Sequence, residues 1–255
     1  MVRTVIFFII FWLYQICIFP ILLLLGGGQL LGHRHAVRRI AGRVAWTWSK
    51  VLMGVAGARL TRRGEVHLPP DQPALYVSNH QGAFDIPLAL LSIKRPVGFF
   101  SKIELARVPS IGSWMKLMGC IFVERGNTAS ALQSLDEAVQ ALRDGVSLVI
   151  FPEGTRSGSE KMKHFKTGFA RMAIRAEVPI VPMVMKGTYR LKQKDAPWIA
   201  PAEVEVAIEP PISTQGLAES DSRELKQRVQ DVIQARLEAI DDPQAEAPTS
   251  AAHSS

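Results

Sequence analysis

Between Arg3 and Arg34 the chain carries no Asp, Glu, Lys or Arg, and from Val5 to Leu25 it is overwhelmingly apolar. At about 1.5 Å per residue such a helix is roughly 30 Å long, the thickness of a bilayer's hydrocarbon core. The segment is therefore expected to cross a membrane or to enter it as a re-entrant helix. A cleaved signal peptide is the competing reading. Its apolar region usually spans about 7–15 residues, shorter than this run, and Leu25-Gly26-Gly27-Gly28-Gln29-Leu30 leads into basic residues rather than into a cysteine-rich secreted domain. A retained anchor is the expectation.

Charge supports that placement. Met1 to Gly64 contains no Asp or Glu but nine Lys and Arg, against +7 for the whole chain, so the remainder carries a net −2. A basic surplus confined to the flank of an apolar segment points to anionic lipid and not to nucleic acid. Arg34 to Arg43 places that end in the cytoplasm by the positive-inside rule, predicting a cell-membrane protein whose remaining mass faces the cytoplasm. Val44 to Val55, with Trp46 and Trp48, reads either as a second membrane-touching helix or as an ordinary amphipathic core helix.

Beyond this region apolar strand candidates alternate with helical patterns, which predicts an α/β fold: a mixed, mostly parallel sheet flanked by helices, with the N-terminal membrane-anchoring segment attached. Strands are expected at Ala74-Val77, Pro96-Phe100, Ile121-Val123, a run ending at Phe151, and Ile180-Met185, with a half-exposed edge strand at Glu203-Ile208. Helices are expected near Ile111-Met118, Thr128-Arg143, Gly168-Ala176 and Ser222-Ala239. The expected organisation is residues 1–60 as anchor and basic amphipathic helix, 61–240 as the α/β domain, and 241–255 as a disordered tail rich in Ala, Pro and Ser.

Two blocks sit at strand ends, where open α/β sheets collect their ligands. In Asn79-His80-Gln81-Gly82-Ala83-Phe84-Asp85, His80 falls on a strand-to-helix turn and Asp85 reads as the N-cap of the next helix. The carboxylate can curl back to the imidazole Nδ1, fix the tautomer and leave Nε2 free to take a proton. A loop histidine satisfied by its neighbours would look the same. In Phe151-Pro152-Glu153-Gly154-Thr155-Arg156-Ser157, Gly154 permits close approach to backbone N–H groups, Thr155 and Ser157 add hydroxyls, and Arg156 offers a planar fork for phosphate. The alternative is a solvated turn with a Glu-Arg pair. Together the blocks read as a base beside an anion site. There is no Gly-x-Ser-x-Gly elbow, Walker A loop or dinucleotide fingerprint, so neither a serine hydrolase nor a nucleotide cofactor is expected. Cys17 and Cys120 lie in apolar runs, and His33-Arg34-His35 is not a metal signature, so no disulfide, metal or cofactor is expected.

Four blocks in order and spacing resemble the 1-acyl-sn-glycerol-3-phosphate acyltransferases of the glycerophospholipid acyltransferase superfamily: Asn79 to Asp85; Gly119-Cys120-Ile121-Phe122-Val123-Glu124-Arg125, preceded by Ser101-Lys102-Ile103-Glu104-Leu105; Phe151 to Ser157 with Phe165-Lys166-Thr167-Gly168; and Val178-Pro179-Ile180-Val181-Pro182. The resemblance covers about Leu75 to Lys186. Gly82 departs from it, standing where a serine or other polar residue is usual, which bears on acyl-chain or substrate preference. The resemblance implies that residues 61–240 form an acyltransferase catalytic domain in which His80 is general base and Asp85 supports it. It also implies a glycerol-phosphate site made by Lys102, Arg125, Glu153, Gly154, Thr155 and Arg156. The implied partners are a lysophosphatidate acceptor, an acyl-CoA or acyl carrier protein donor, and a membrane with anionic lipids. A different acceptor, such as glycerol 3-phosphate or another lysolipid, and a non-catalytic lipid-phosphate binding protein are the alternatives.

Overall fold

The computed structural model describes residues 1–70, 72–124, 126, 128–193 and 195–240, so the expected tail at 241–255 lies outside the described residues. Two long helices open the chain, α1 (Val2–Leu30) and α2 (Arg34–Ala56), joined through Gly32 at φ 85°. A seven-stranded sheet comes next, in the order β1-β7-β6-β2-β5-β3-β4, built from β1 (Ala58–Arg63), β2 (Leu75–Ser78), β3 (Val97–Lys102), β4 (Ile121–Val123), β5 (Ser147–Ile150), β6 (Ile180–Lys186) and β7 (Ala202–Ile208). Every neighbouring pair is parallel except β6 with β7. The remaining helices are α3 (Asp85–Ile93), α4 (Ile103–Ala106), α5 (Ile111–Leu117), α6 (Thr128–Arg143), α7 (Gly168–Ala176), α8 (Thr188–Leu191) and α9 (Ser222–Ala239). This is the mixed, mostly parallel α/β architecture that the alternating pattern implied.

Period-two alternation divides the core between the two faces of the sheet. Tyr76, Val149, Val181 and Met183 join α1, α2, α3 and α5 on one face, through residues such as Phe7, Leu22, Leu52, Leu88 and Trp114. Leu75, Val77, Leu148, Ile150 and Val184 join α6, α7 and α9 on the other, through Leu142, Phe169, Val229 and Ile233. Because both faces are covered, the central strands β2 and β5 are buried along their whole length.

Two expectations are corrected. Glu203 to Ile208 is not an edge strand: β7 is hydrogen-bonded to β6 on one side and to β1 on the other. Its alternation arises because Val204 and Val206 enter the core, while Glu203 and Glu205 face the arginines of β1, with Arg63 Nε donating to Glu205 Oε1 at 2.7 Å. The edge belongs to β1, whose arginines read in the sequence only as part of the basic flank. The second correction is at Asp85, which is the first residue of α3 and not its N-cap; Phe84 occupies the cap position.

The N-terminal helix α1 is long and apolar enough to cross a membrane. Trp12, Ile16, Leu23 and Leu24 are among its exposed side chains, 58–76% accessible, an arrangement consistent with membrane association. Its other face packs on the protein, where Phe7 meets Phe84 edge-on with ring centroids 5.7 Å apart and Gln15 Oε1 accepts from Ser110 Oγ at 2.9 Å.

Candidate active site

The central strand β2 ends in Ser78 and delivers Asn79 and His80 to the carboxyl end of the sheet, with β6 and β5 on either side. Asn79 locks the turn to β6: its Nδ2 donates to Met185 O and its Oδ1 accepts from Met185 N, both at 2.8 Å. His80 follows from that clamp. Its Nδ1 stands 2.6 Å from Asp85 Oδ2, which leaves Nε2 without a claim from that carboxylate.

Asp85 is fully buried, which requires that its oxygens be paired. Oδ2 accepts the backbone N–H groups of Gln81 at 2.7 Å and Gly82 at 2.9 Å in addition to the imidazole. Oδ1 accepts the hydroxyl of Thr188, the first residue of α8. The carboxylate therefore caps the loop behind it instead of the helix it begins, which is why the N-cap expectation fails. Gly82 has a steric reason as well: a Cβ there would lie 3.1 Å from Tyr189 Cα and 3.2 Å from Tyr189 N, so a side chain would require the start of α8 to give by a few tenths of an ångström. Gly82 is thus packed closely against the segment that carries Thr188.

The second block wraps under the first. Glu153 is buried, and its Oε1 accepts the backbone N–H of His80 at 2.8 Å while Oε2 accepts that of Lys163 at 3.2 Å. Burial pushes its carboxyl up to about 7 against the pull of those two hydrogen bonds and of the Lys163 charge. Ser157 N–H and Gly158 N–H donate to the carbonyls of His80 and Gln81 at 2.7 and 3.1 Å. Phe151 stacks on the His80 ring, centroids 4.2 Å apart and planes 16° from parallel. Together these contacts fix the imidazole in position and orientation.

A cleft of about 310 Å³ opens in front of His80 and is lined also by Lys102, Gly154, Thr155 and Arg156. The structure thus brings His80 together with four of the residues assigned to phosphate. Glu153 sits behind the imidazole, engaged with backbone, and Arg125 lies outside the described residues. The expected cradle of backbone N–H groups is altered: Gly154 has φ 75° and its N–H closes a turn onto Phe151 O at 3.1 Å, while the Ser157 hydroxyl is spent on Ser159 O at 2.8 Å. The side chains of Lys102, Thr155 and Arg156 remain as the candidate anion contacts on the cleft wall. Lys163 Nζ steadies this loop through Arg156 O at 2.7 Å and Thr155 Oγ1 at 3.2 Å.

A second, apolar groove of about 390 Å³ adjoins the cleft, sharing Phe100, Lys102, Phe151 and Gly154 and continuing past Leu132, Phe169 and Met172. Cys120 is buried, accepts the Phe99 N–H at 3.2 Å and has its thiol pushed up to about 12 by burial, which unsuits it as a nucleophile. Among the described residues no three His, Cys, Asp or Glu side chains stand together as metal ligands. Sequence reading gave Asn79 and Phe151 no role within their blocks and missed Thr188 altogether. Nothing local in the sequence marks Thr188, which reaches Asp85 only through the tertiary fold.

The Acyltransferase family model matches residues 59–186, half of the chain. The mouse protein named 1-acyl-sn-glycerol-3-phosphate acyltransferase alpha is 35% identical over 167 residues, which is 65% of this chain but only 59% of that protein's length. A 1-acyl-sn-glycerol-3-phosphate acyltransferase of Limnanthes alba is 31% identical over 218 residues, 85% of this chain and 72% of the relative. The crystal structure of the 1-acyl-sn-glycerophosphate (LPA) acyltransferase from Thermotoga maritima superposes with a TM-score of 0.73 at 26% identity, covering 91% of this chain and 95% of that one. The His80-Asp85 turn and the Phe151-Ser157 loop both fall within the matched segment, and the chain belongs to the acyltransferase family.

Proposed function

We propose that the protein transfers a fatty acyl group from an acyl thioester, acyl-CoA or acyl carrier protein, to the 2-hydroxyl of 1-acyl-sn-glycerol 3-phosphate, giving phosphatidate. One observation carries this reading: the His80 imidazole, its Nδ1 held by Asp85, faces a cleft that also contains Arg156 and Lys102. His80 Nε2 accepts the proton of the acceptor hydroxyl as its oxygen attacks the thioester carbonyl carbon. The C–S bond then breaks and the thiolate, or the thiol after proton return from the imidazolium, departs. Asp85 stabilises the imidazolium during this passage. A thioester needs no enzyme nucleophile, in keeping with the inert Cys120. Arg156, with Lys102 and Arg125 as companions, holds the acceptor phosphate, and the adjoining apolar groove suits a fatty chain better than it suits glycerol 3-phosphate alone.

The exposed apolar stripe of α1 and the basic residues after it support an enzyme held at the cell membrane, against anionic lipid, with residues 61–240 on the cytoplasmic side. The test compares wild type with His80→Ala and Arg156→Ala, using labelled acyl-CoA and lysophosphatidate. His80→Ala is expected to lose at least about 100-fold in turnover, and Arg156→Ala to raise KM for the acceptor with a smaller effect on kcat. Activity unaffected by His80→Ala sinks the mechanism; activity confined to another lysolipid or to glycerol 3-phosphate replaces the acceptor and leaves the base in place.

A further inference from the structure

At the opposite ends of the strands from His80, two depressions of about 390 and 610 Å³ share Arg39, Arg95 and Pro96 and run together as one groove between α2 and the turn from α3 to β3. Arg38, Arg39 and Arg43 line it from α2, and Lys94 and Arg95 from the turn. No carboxylate lines it among the described residues; Glu65, paired with Lys94 at 2.9 Å, stands outside. Arg95 is preset, donating to the carbonyls of Pro70 and Gln72. With Lys94 matched by Glu65, the four arginines still hold a positive potential that an anion would relieve.

Two features specify the anion. Trp46 and Leu90 form an apolar side to the groove, which a free inorganic ion would leave unused. Thr47 on its rim is hydrogen-bonded to Tyr14 of α1 at 2.6 Å, so the groove opens beside the apolar N-terminal helix. We propose that this groove binds the phosphate headgroup of an anionic membrane phospholipid, with the glycerol and upper acyl carbons against Trp46, at a site separate from the cleft at His80. The inference rests on the membrane association proposed above and not on the acyl-transfer chemistry.

The experiment uses the full chain in neutral detergent micelles and follows tryptophan fluorescence during titration with dihexanoyl phosphatidylglycerol, with Trp46→Phe identifying the responding indole. Parallel titrations use dihexanoyl phosphatidylcholine and inorganic phosphate. The double variant Arg39→Gln/Arg43→Gln is compared with Arg62→Gln/Arg171→Gln, which removes the same charge outside the groove. The expected result is a saturable, Trp46-dependent signal for phosphatidylglycerol that weakens at least tenfold in the groove variant and less than twofold in the other. Phosphatidylcholine and inorganic phosphate bind at least tenfold more weakly, and lysophosphatidate acylation in micelles is unchanged by the groove variant. Equal losses in the two double variants would show diffuse charge and overturn the site. Inorganic phosphate or phosphatidylcholine binding as tightly as phosphatidylglycerol would overturn the anionic-lipid occupant, and lost acylation would overturn the separateness of the groove. Selective, Trp46-dependent phosphatidylglycerol binding in a chain that proved inactive toward every acceptor would sustain this inference while the reading of His80 failed.

Discussion

Asp85 has its charge shared among four donors drawn from two distant parts of the chain, and Thr188 is the one donor that only the tertiary fold can bring. Removing that hydroxyl leaves a buried carboxylate oxygen unpaired, at a cost of about 1–3 kcal/mol, which frees the carboxylate to turn and carries His80 with it. Thr188→Val is therefore expected to lower kcat about tenfold with KM for the acceptor nearly unchanged, and Thr188→Ser to restore it. Steady-state kinetics on the two variants decide this, and an unchanged kcat in Thr188→Val would make the hydroxyl a bystander. Glu153 acts on stability. Its carboxyl is raised from the ordinary 4.5 to about 7, so between those values the folded chain keeps a proton that the unfolded chain has released. Its contribution is fully present below about pH 4.5, falls as pH rises, and is lost above about pH 7. The difference in melting temperature between wild type and Glu153→Gln should decline across that window, and a difference flat in pH would assign the proton elsewhere. Gln cannot reproduce both contacts, because its amide N–H₂ would face either the His80 or the Lys163 N–H, so the variant should also be less stable at the acid end.

The element most open in the sequence is α2, whose arginines and tryptophans suit a membrane surface as well as a protein core. The fold shows which face goes where: Val37, Ala41, Ser49, Leu52, Met53 and Ala56 are buried, while Arg39, Arg43, Thr47 and Lys50 are exposed. Gly42 passes so close to Pro96 that a Cβ would stand 3.1 Å from its Cα, which sets how near α2 lies to the start of β3. Leu52 is 3% exposed, so Leu52→Ala should destabilise the protein in micelles by about 2–5 kcal/mol, read as a lowered melting temperature. A leucine facing lipid would leave that temperature nearly unchanged. The contrast with α6 shows what sequence can and cannot supply. A continuous apolar stripe ended by Gly145 marks α6 at its own boundaries, whereas the six residues of β1 have no apolar run, because their outward arginines are matched by Glu203 and Glu205 only after β7 has been brought alongside. Strand order is a property of pairing between distant segments, and the alternation in β7 cannot tell a solvent edge from a polar seam.

For the molecule as a whole, the legible parts of the site are those written within a few residues of one another. His80 and Asp85 are five apart and Glu153 to Arg156 are contiguous, so each half could be picked out locally as a candidate, and the parallel sheet brings the halves together by setting β5 beside β2. Thr188 lies 103 residues beyond Asp85 and had no local mark. The same holds for the N-terminal helix. Its apolar run announces an anchor, yet Phe7, Ile18, Leu22 and Leu25 are buried in the core that also holds Phe84, and Thr4 Oγ1 accepts the backbone N–H of Ile199 at 2.8 Å. An anchor that only tethers can be removed without harm once substrate is presented in a micelle. Burial of four large apolar side chains, each contributing about 1.5–3 kcal/mol, says otherwise. A chain beginning after Leu30 should melt more than about 10 °C below the full chain in the same detergent. It should also turn over micellar lysophosphatidate at least about tenfold more slowly, because the loss of Phe7 leaves Phe84 loose immediately before Asp85. If the truncated chain matched the full one in both melting and micellar turnover while losing only its attachment to vesicles, α1 would be a tether and the contacts at Phe84 would be incidental. A fall in turnover with unchanged stability would instead place the effect wholly on the position of the His80–Asp85 turn.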